Sequence, residues 1–258
     1  MSSKKTFLIF VSSVALIIGL MGLTVSKMIK TSTVVKVNVE SAKKQVFVRE
    51  VSDSTYSADS LSIMGYEPLD YAQAISFVLT KAKSSPYGIE GMDFNDMTLE
   101  EHIINLNKVC YLEDINPGVM LAQQVLETSI FTYKYKTTSA NGEVVEIKSV
   151  VKPSDYNFAG IGAIGDGKSC NSFKDNYEGQ LAQAQHLKAY ASTEDLNTEL
   201  VDPRFQYVER GKATKVAGLS KEWANNEVYG EHITSLYTDL LNHKVDEDLV
   251  KEYSDKIY

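Results

Sequence analysis

The sequence predicts a mostly helical α+β domain that carries one small β-hairpin and follows an apolar N-terminal segment. Several stretches between residues 66 and 243 show apolar residues at helical spacing. Residues 132–138 and 143–151 show the side-chain alternation of β-strands. They flank an Asn141-Gly142 turn, and this arrangement is the strongest short-range signal for a hairpin. An uncharged stretch of about 20 residues, Thr6–Val25, lies ahead of them all.

Composition excludes some classes of function. The chain has 258 residues, of which 43% are hydrophobic, and this is typical of a globular protein with a large core. The formal net charge is −8, whereas general nucleic-acid binding requires a basic face, so no nucleic-acid partner is expected. The two cysteines, Cys110 and Cys170, have no CxxC spacing, so we expect no metal site. They either form a disulfide or remain as unpaired thiols.

The N-terminal segment predicts a membrane anchor over residues 1–27. Thr6–Val25 is long enough to cross a bilayer as a helix. A cleaved signal peptide is the alternative, but its apolar core would be shorter, and no clear cleavage site precedes Lys27. Because a long polar chain follows a five-residue head, we expect the remainder to lie outside the cell. Residues 28–60 are predicted to form a polar, partly ordered stalk.

The helix predicted over Pro117–Phe131 is the one around which the domain is organised. Asn116 suits the N-cap position and Pro117 the first helical position. The following turns are mostly apolar, so the helix should be buried. Near its end lies Glu127, and a carboxyl group in apolar surroundings has a raised pKa and can donate a proton near neutrality. The plainer alternative is that Glu127 points into water at the helix end.

Other helices are predicted on both sides of this one. Thr98 and Glu101 form a capping-box pattern at the start of one of them, and residues 177–190 show an amphipathic pattern. The glycine-rich stretch 152–172 is predicted to be a loop. It is not a dinucleotide site, because no buried strand precedes it and no helix opens at it. The helices are predicted over residues 66–83, 99–112, 177–190, 213–219, 231–243 and 246–258.

Five motifs occur in a fixed order along the chain. They are LAQQVLETSIF at 121–131, NFAGIGA at 157–163, EGQLAQAQHLKAY at 178–190, VDPRF at 201–205 and the WA…YG block at 223–230. Together they resemble glycoside hydrolase family 73, the mannosyl-glycoprotein endo-β-N-acetylglucosaminidase-like domain. Members of that family are bacterial peptidoglycan N-acetylglucosaminidases with a lysozyme-like fold. The resemblance covers residues 116–241, which is roughly half of the chain.

The resemblance implies roles for particular residues. It places a lysozyme-like domain at residues 61–258, with a helical extension at 61–115 and a catalytic core at 116–243. Glu127 matches the glutamate that serves as general acid in the family's Ala-x-x-x-Leu-Glu run. No cofactor and no metal are implied. The substrate-binding residues implied by the resemblance are Asn157, Phe158, Phe173, Trp223 and Tyr229.

The chain departs from the family pattern at two places near the expected site. The family's Ser-Gly-x-Gly after the glutamate is Thr128-Ser129-Ile130-Phe131 here, so two glycines beside the acid are missing. Phe173 stands where a tyrosine is common. Both departures favour a protein that kept the fold and lost activity.

The sequence does not identify the second catalytic group. Glycoside hydrolysis requires a proton on the leaving oxygen and stabilisation of an oxocarbenium-like centre. Because a β-lobe faces the acid in lysozyme-like enzymes, the hairpin residues Glu143 and Glu146 are candidates, and so are Asp155 and Asp166 near the glycines. Alternatively, the hairpin glutamates are solvated strand residues, or the 2-acetamido group of the substrate assists.

We expect structural roles for the four histidines and for one possible ion pair. His186 lies in the helix predicted over 177–190 and is expected to be structural or solvated, as are the other three histidines. Asp202 and Arg204 are expected to fix a loop by pairing with each other.

These inferences predict a membrane-anchored, extracytoplasmic hydrolase that cuts the β-1,4 bond between N-acetylglucosamine and N-acetylmuramic acid during wall remodelling. Its expected partners are peptidoglycan glycan strands and, through the N-terminal helix, the membrane; a membrane-protein partner is left open. One alternative is a lytic transglycosylase, which acts on the same polymer and needs a single glutamate. The other is an inactive wall-binding scaffold.

Overall fold

The computed structural model describes residues 55–139, 141–163 and 170–257. This part of the chain is a set of packed helices with one two-stranded antiparallel sheet, which confirms the predicted mostly helical α+β class. The elements are α1 (Tyr71–Lys83), α2 (Leu99–Glu113), α3 (Pro117–Glu127), β1 (Lys134–Thr138), β2 (Val144–Lys148), α4 (Asn176–Ala191), α5 (Leu219–Glu222), α6 (Tyr229–Leu241) and α7 (Glu247–Ile257).

The predicted anchor at residues 6–25 lies outside the described residues, as does the stalk up to residue 54. Across the three described ranges, no helix combines the length and the apolar character needed to cross a bilayer. The chain from Tyr56 onward already packs on the domain, since the Tyr56 ring lies 5.0 Å from that of Tyr237 in α6.

Helix α3 lies in the core, as its apolar sequence predicts. Every residue from Pro117 to Val125 is buried. The Asn116 side chain accepts hydrogen bonds from the first backbone N–H groups of the helix, which confirms the predicted N-cap. A methyl group added at Gly118 would lie 2.7 Å from the ring of Tyr237, so this glycine lets α3 and α6 approach closely.

The predicted amphipathic character of residues 177–190 is wrong. Every residue of α4 from Gly179 to Ala189 is buried, so the helix has no solvent-facing side over this length. Its polar side chains have partners on neighbouring segments instead. Lys188, for example, forms a buried ion pair with Glu113 of α2 at 3.0 Å. The polar residues of this helix therefore belong to the core and not to a solvated face.

Several predicted helix boundaries move in the structure. The helix predicted over 66–83 begins at Tyr71, because the Asp70 side chain caps it there. The helix predicted over 231–243 begins two residues earlier, at Tyr229. The stretch predicted as a helix over 213–219 is a 3₁₀ turn that leads into α5. The Thr98–Glu101 capping box at the start of α2 is confirmed.

A left-handed turn follows Glu127 and ends α3 four residues before the predicted Phe131. Ser129, Ile130 and Phe131 have φ of 52°, 60° and 57°, which non-glycine residues rarely adopt. The Thr128 hydroxyl stabilises the turn by donating to Gln124 O at 2.7 Å and accepting from Phe131 N at 2.8 Å. Phe131 is fully buried, and this burial offsets a strain of about 1–3 kcal/mol for each residue.

The hairpin predicted around Asn141-Gly142 is present in the structure. Strand β1 pairs antiparallel with β2, and Tyr135 stands opposite Ile147 while Lys136 stands opposite Glu146. Apart from Lys134, all strand residues are exposed, so the hairpin is a surface element.

The two cysteines do not form a disulfide, so that alternative is wrong. Cys110 is buried in α2, where its Sγ lies 3.4 Å from Met120 Sδ. Cys170 is half-buried and lies 3.6 Å from a carboxylate oxygen of Asp155.

Ser129→Gly should stabilise the protein. A left-handed conformation costs a non-glycine residue about 1–2 kcal/mol, and the greater freedom of glycine in the unfolded chain offsets part of the gain. We expect the free energy of unfolding, measured by urea denaturation, to rise by about 0.5–1 kcal/mol.

Ser235→Gly is the matched control, because Ser235 is an exposed residue inside α6. There the same substitution should lower the free energy of unfolding by about 0.5 kcal/mol. Equal destabilisation by both variants would contradict the left-handed turn.

Candidate active site

Glu127 is the last residue of α3, and its half-buried side chain lies where the buried helix reaches the surface. Its Oε1 accepts a hydrogen bond from Tyr229 Oη at 2.5 Å. Burial raises the pKa of the Glu127 carboxyl, and the hydrogen bond from Tyr229 opposes this by stabilising the ionised form. The carboxyl group is therefore in surroundings that favour its neutral, proton-donating form.

The second oxygen of Glu127 faces the glycine-containing loop at residues 157–163. Gly160 has φ of +68°, and a methyl group added there would lie 3.8 Å from Glu127 Oε2. The two carboxyl oxygens therefore differ in their surroundings. Oε1 is held by a donor from α6, whereas Oε2 lies beside the backbone of the loop.

The Asn157 side chain holds this loop together by hydrogen bonds. Its amide nitrogen donates to Ile161 O at 2.9 Å and to Asn171 O at 2.8 Å, and its oxygen accepts from Ile161 N at 3.0 Å. The side chain is fully buried. Phe158 is also buried, with its ring 4.7 Å from that of His102. Both residues were predicted to bind substrate, but in the described structure they face the interior and hold the loop in place.

Trp223 and Phe173, two further aromatic residues predicted to bind substrate, lie in different surroundings. Trp223 is half-buried in a cluster with His186 at 4.9 Å and Tyr190 at 5.7 Å between ring centroids. Phe173 is buried, and its backbone N–H donates to Asp155 O at 2.9 Å. Trp223 is thus half-buried, whereas Phe173 packs in the core.

The expected pairing of Asp202 with the Arg204 side chain is replaced by another contact. Asp202 Oδ2 lies 2.6 Å from His186 Nδ1, and both side chains are buried. Arg204 contributes only its backbone N–H, which donates to Asp202 Oδ1 at 2.8 Å. The expected structural role of His186 fits this placement.

The described candidates for a second carboxylate do not hydrogen-bond to Glu127. Glu143 accepts from Asn141 at 3.0 Å in the hairpin turn, and Glu146 is exposed on β2. Asp155 accepts from Lys152 N at 2.8 Å and from Ser172 Oγ at 2.9 Å. Asp166 lies outside the described residues. Within the described ranges, no hydrogen bond joins Glu143, Glu146 or Asp155 to Glu127.

Sequence reasoning missed a set of buried amides behind Tyr229. Gln123 Nε2 donates to Tyr229 Oη at 2.9 Å, and Gln183 Nε2 donates to Gln123 Oε1 at 2.8 Å. Gln124 Nε2 in turn donates to Gln183 Oε1 at 2.8 Å. All three glutamines are fully buried. The sequence feature that could have indicated these buried amides is glutamine within stretches predicted to be helical and buried.

His102 continues this set of buried polar groups. Its Nε2 lies 2.8 Å from Gln124 Oε1, and its Nδ1 lies 2.9 Å from Asn176 Nδ2. Burial lowers the pKa of His102 to about 4, so the imidazole is neutral at neutral pH. Among the described residues, no group of three or more His, Cys, Asp or Glu side chains is arranged to hold a metal ion.

The chain is similar to an uncharacterized protein of Borreliella burgdorferi (strain ATCC 35210), with 33% identity over 132 residues. The matched region covers 51% of this chain and 58% of the relative, which is less than two thirds of that protein. No protein-family model matches the chain, and no solved structure matches it at a significant level. The relative therefore supplies no activity, and the geometry around Glu127 has to carry any functional inference.

Glu127→Gln should change the stability of the fold in a pH-dependent way. Because burial raises the folded-state pKa of Glu127 above its ordinary value of 4.5, the folded protein retains a proton that the unfolded chain has released. The stability due to the neutral carboxyl is present below the unfolded pKa and is lost as pH rises through the folded pKa. We therefore expect the Gln variant to gain stability relative to the wild type as the pH of urea titrations rises above the ordinary carboxyl pKa of 4.5.

Glu194→Gln, at an exposed position away from Glu127, is the matched control for this measurement. A stability difference between the Glu127→Gln variant and the wild type that does not change with pH would contradict the desolvation of the Glu127 carboxyl.

Proposed function

We propose that this chain is a peptidoglycan hydrolase of the glycoside hydrolase family 73 type, with a lysozyme-like fold. It would cut the β-1,4 bond between N-acetylglucosamine and N-acetylmuramic acid. The observation that carries the proposal is the Glu127 carboxyl, which ends a buried helix with one oxygen held by Tyr229 and the other beside Gly160. The order of the five sequence motifs supports the same function.

The proposed acid step uses the two oxygens of Glu127 differently. Glu127 Oε2 gives its proton to the glycosidic oxygen as the bond to the leaving sugar breaks. General-acid catalysis of this kind contributes about 10²–10⁴ to the rate. Burial and the nearby Glu127 raise the pKa of Tyr229 far above its ordinary range, so Tyr229 stays protonated and stabilises the carboxylate that the transfer leaves behind.

The second requirement is stabilisation of the oxocarbenium-like centre. Assistance by the 2-acetamido group of the N-acetylglucosamine unit that is cleaved would meet this requirement without a second carboxylate. Asp166 stays a candidate for this role, as do Glu143 and Glu146 through movement of the exposed hairpin. Trp223, which is half-buried, is the aromatic residue proposed to contact a sugar face.

The proposed location follows from the N-terminal sequence. Thr6–Val25 would anchor the protein in the cell membrane by a single span, with the helical domain outside the cell. Such an anchor would confine cutting to wall material close to the membrane. This suits wall remodelling better than bulk lysis.

A lytic transglycosylase is the second candidate. It is favoured by the contacts that Glu143 and Asp155 make with other groups, because such an enzyme needs a single glutamate. The two candidates yield different ends on the released glycan. Hydrolysis as proposed leaves a reducing-end N-acetylglucosamine, whereas a transglycosylase leaves an anhydro-muramic end.

Digestion of purified sacculi by the full-length protein, followed by mass spectrometry, tests the proposal. We expect reducing-end N-acetylglucosamine from the wild type and a turnover at least about 10²-fold lower for Glu127→Gln, because the proton donor is removed. Binding of the Gln variant to sacculi should persist.

Glu194→Gln serves again as the control and should keep wild-type turnover. Anhydro-muramic products would support the transglycosylase. Binding to sacculi without any turnover by the wild type would support an inactive wall-binding scaffold.

A further inference from the structure

An unbroken line of hydrogen bonds crosses the core from Glu127 to Asn176 and joins four helices. It runs through Tyr229 of α6, Gln123 and Gln124 of α3, Gln183 of α4 and His102 of α2. The links after the first, which is 2.5 Å, are 2.8–2.9 Å long. We call this line the amide chain. Its members, in order from Glu127, are Tyr229, Gln123, Gln183, Gln124, His102 and Asn176.

The amide chain has a single direction. With the Tyr229 hydroxyl donating its one hydrogen to Glu127, its oxygen accepts from the Gln123 amide N–H. The Gln123 oxygen is then left to accept from Gln183. The same argument applies at each following amide, since reversing one of them would place two donors or two acceptors face to face.

The direction also determines the state of His102. Gln124 uses its N–H for Gln183, so its oxygen must accept from His102 Nε2–H. His102 Nδ1 is then the acceptor for the Asn176 amide. This direction places the hydrogen of the neutral imidazole on Nε2. Its partners among the described residues are amides and aromatic rings rather than charged side chains, namely Gln124, Asn176, Gln180, Phe94, Phe131 and Phe158.

Packing alone does not require this arrangement. His102, Gln123, Gln124 and Gln183 are fully buried, and a buried amide is costly unless each of its groups finds a partner. Apolar side chains of similar volume would fill the same space without that requirement. What the amides add is a fixed direction of hydrogen bonding that ends on the half-buried carboxyl group of Glu127.

We propose that Gln183 and His102 are positioning residues that act through Gln123 and Tyr229 on Glu127. The amide chain holds Oε1 as a hydrogen-bond acceptor, so the proton of the neutral carboxyl resides on Oε2, beside Gly160. This inference rests on the proposed function, because it assigns to the amide chain the orientation of a catalytic acid. The orientation and the titration of Glu127 can both be measured without any substrate.

Gln183→Met in the full-length protein is the first test. Methionine has nearly the shape of glutamine but neither donates to Gln123 nor accepts well from Gln124. With Tyr229 less well aligned, Glu127 loses stabilisation of its ionised form, so its titration, followed by carboxyl ¹³C NMR, should move to higher pH. In the hydrolysis assay kcat should fall about tenfold with KM nearly unchanged.

Gln185→Met is the matched control on the same helix. Gln185 is equally buried, but it bonds to Thr198 and to the backbone of residues 199–202 rather than to the amide chain. This variant should lose stability while the titration of Glu127 stays at its wild-type position. An unchanged Glu127 titration in Gln183→Met would overturn the inference.

His102 provides a second and independent pair of variants. His102→Gln keeps an N–H close to the place of Nε2, whereas His102→Met does not, so the Gln variant should retain the wild-type titration of Glu127 and the Met variant should not. Equal effects of the two would overturn the inference.

The wild-type protein itself gives a test that requires no variant to fold. Imidazole ¹⁵N NMR should show a neutral His102 with its hydrogen on Nε2 at neutral pH. A charged ring, or hydrogen on Nδ1, would overturn the inference. If Glu127→Gln keeps full turnover while these NMR results hold, the proposed function fails and the orientation of Glu127 by the amide chain stands.

Discussion

The hydrogen bond between Tyr229 and Glu127 joins the first residue of α6 to the last residue of α3. The two helices run antiparallel, and at their other ends Gly118 brings the α3 backbone against the ring of Tyr237. Close packing at one end and a hydrogen bond at the other thus fix the same pair of helices. The Glu127 carboxyl is thereby kept at the edge of the core with its oxygens in different surroundings, and the proposed acid step depends on that difference.

The turn after Glu127 bears on the two missing glycines. Ser129 and Phe131, which stand at the glycine positions of the family pattern, adopt the left-handed conformation that glycine would adopt easily. The Thr128 hydroxyl and the buried Phe131 ring provide the compensating contacts. The helix therefore still ends at Glu127, so the loss of the glycines gives less support to an inactive scaffold than the sequence suggested.

The polar interior of the domain explains where pattern-based reasoning failed. The amphipathic interpretation of α4 assumed that glutamine, histidine and lysine side chains face water. That assumption breaks down when each polar group has a partner on a neighbouring helix, as Gln183 has on α3 and Lys188 on α2. The same failure hid the amide chain and the pairing of His186 with Asp202.

The sequence by itself determined the features that depend on residues a few positions apart. These include the capping box at Thr98, the N-cap at Asn116 and the Asn141-Gly142 turn with its hairpin. It also identified Glu127 as a carboxyl group near the end of an apolar helix. Only the tertiary structure decided where that helix ends and that Tyr229, 102 positions away, bonds to the carboxyl. Contacts over such separations depend on how the whole set of helices packs, and no local pattern encodes that packing.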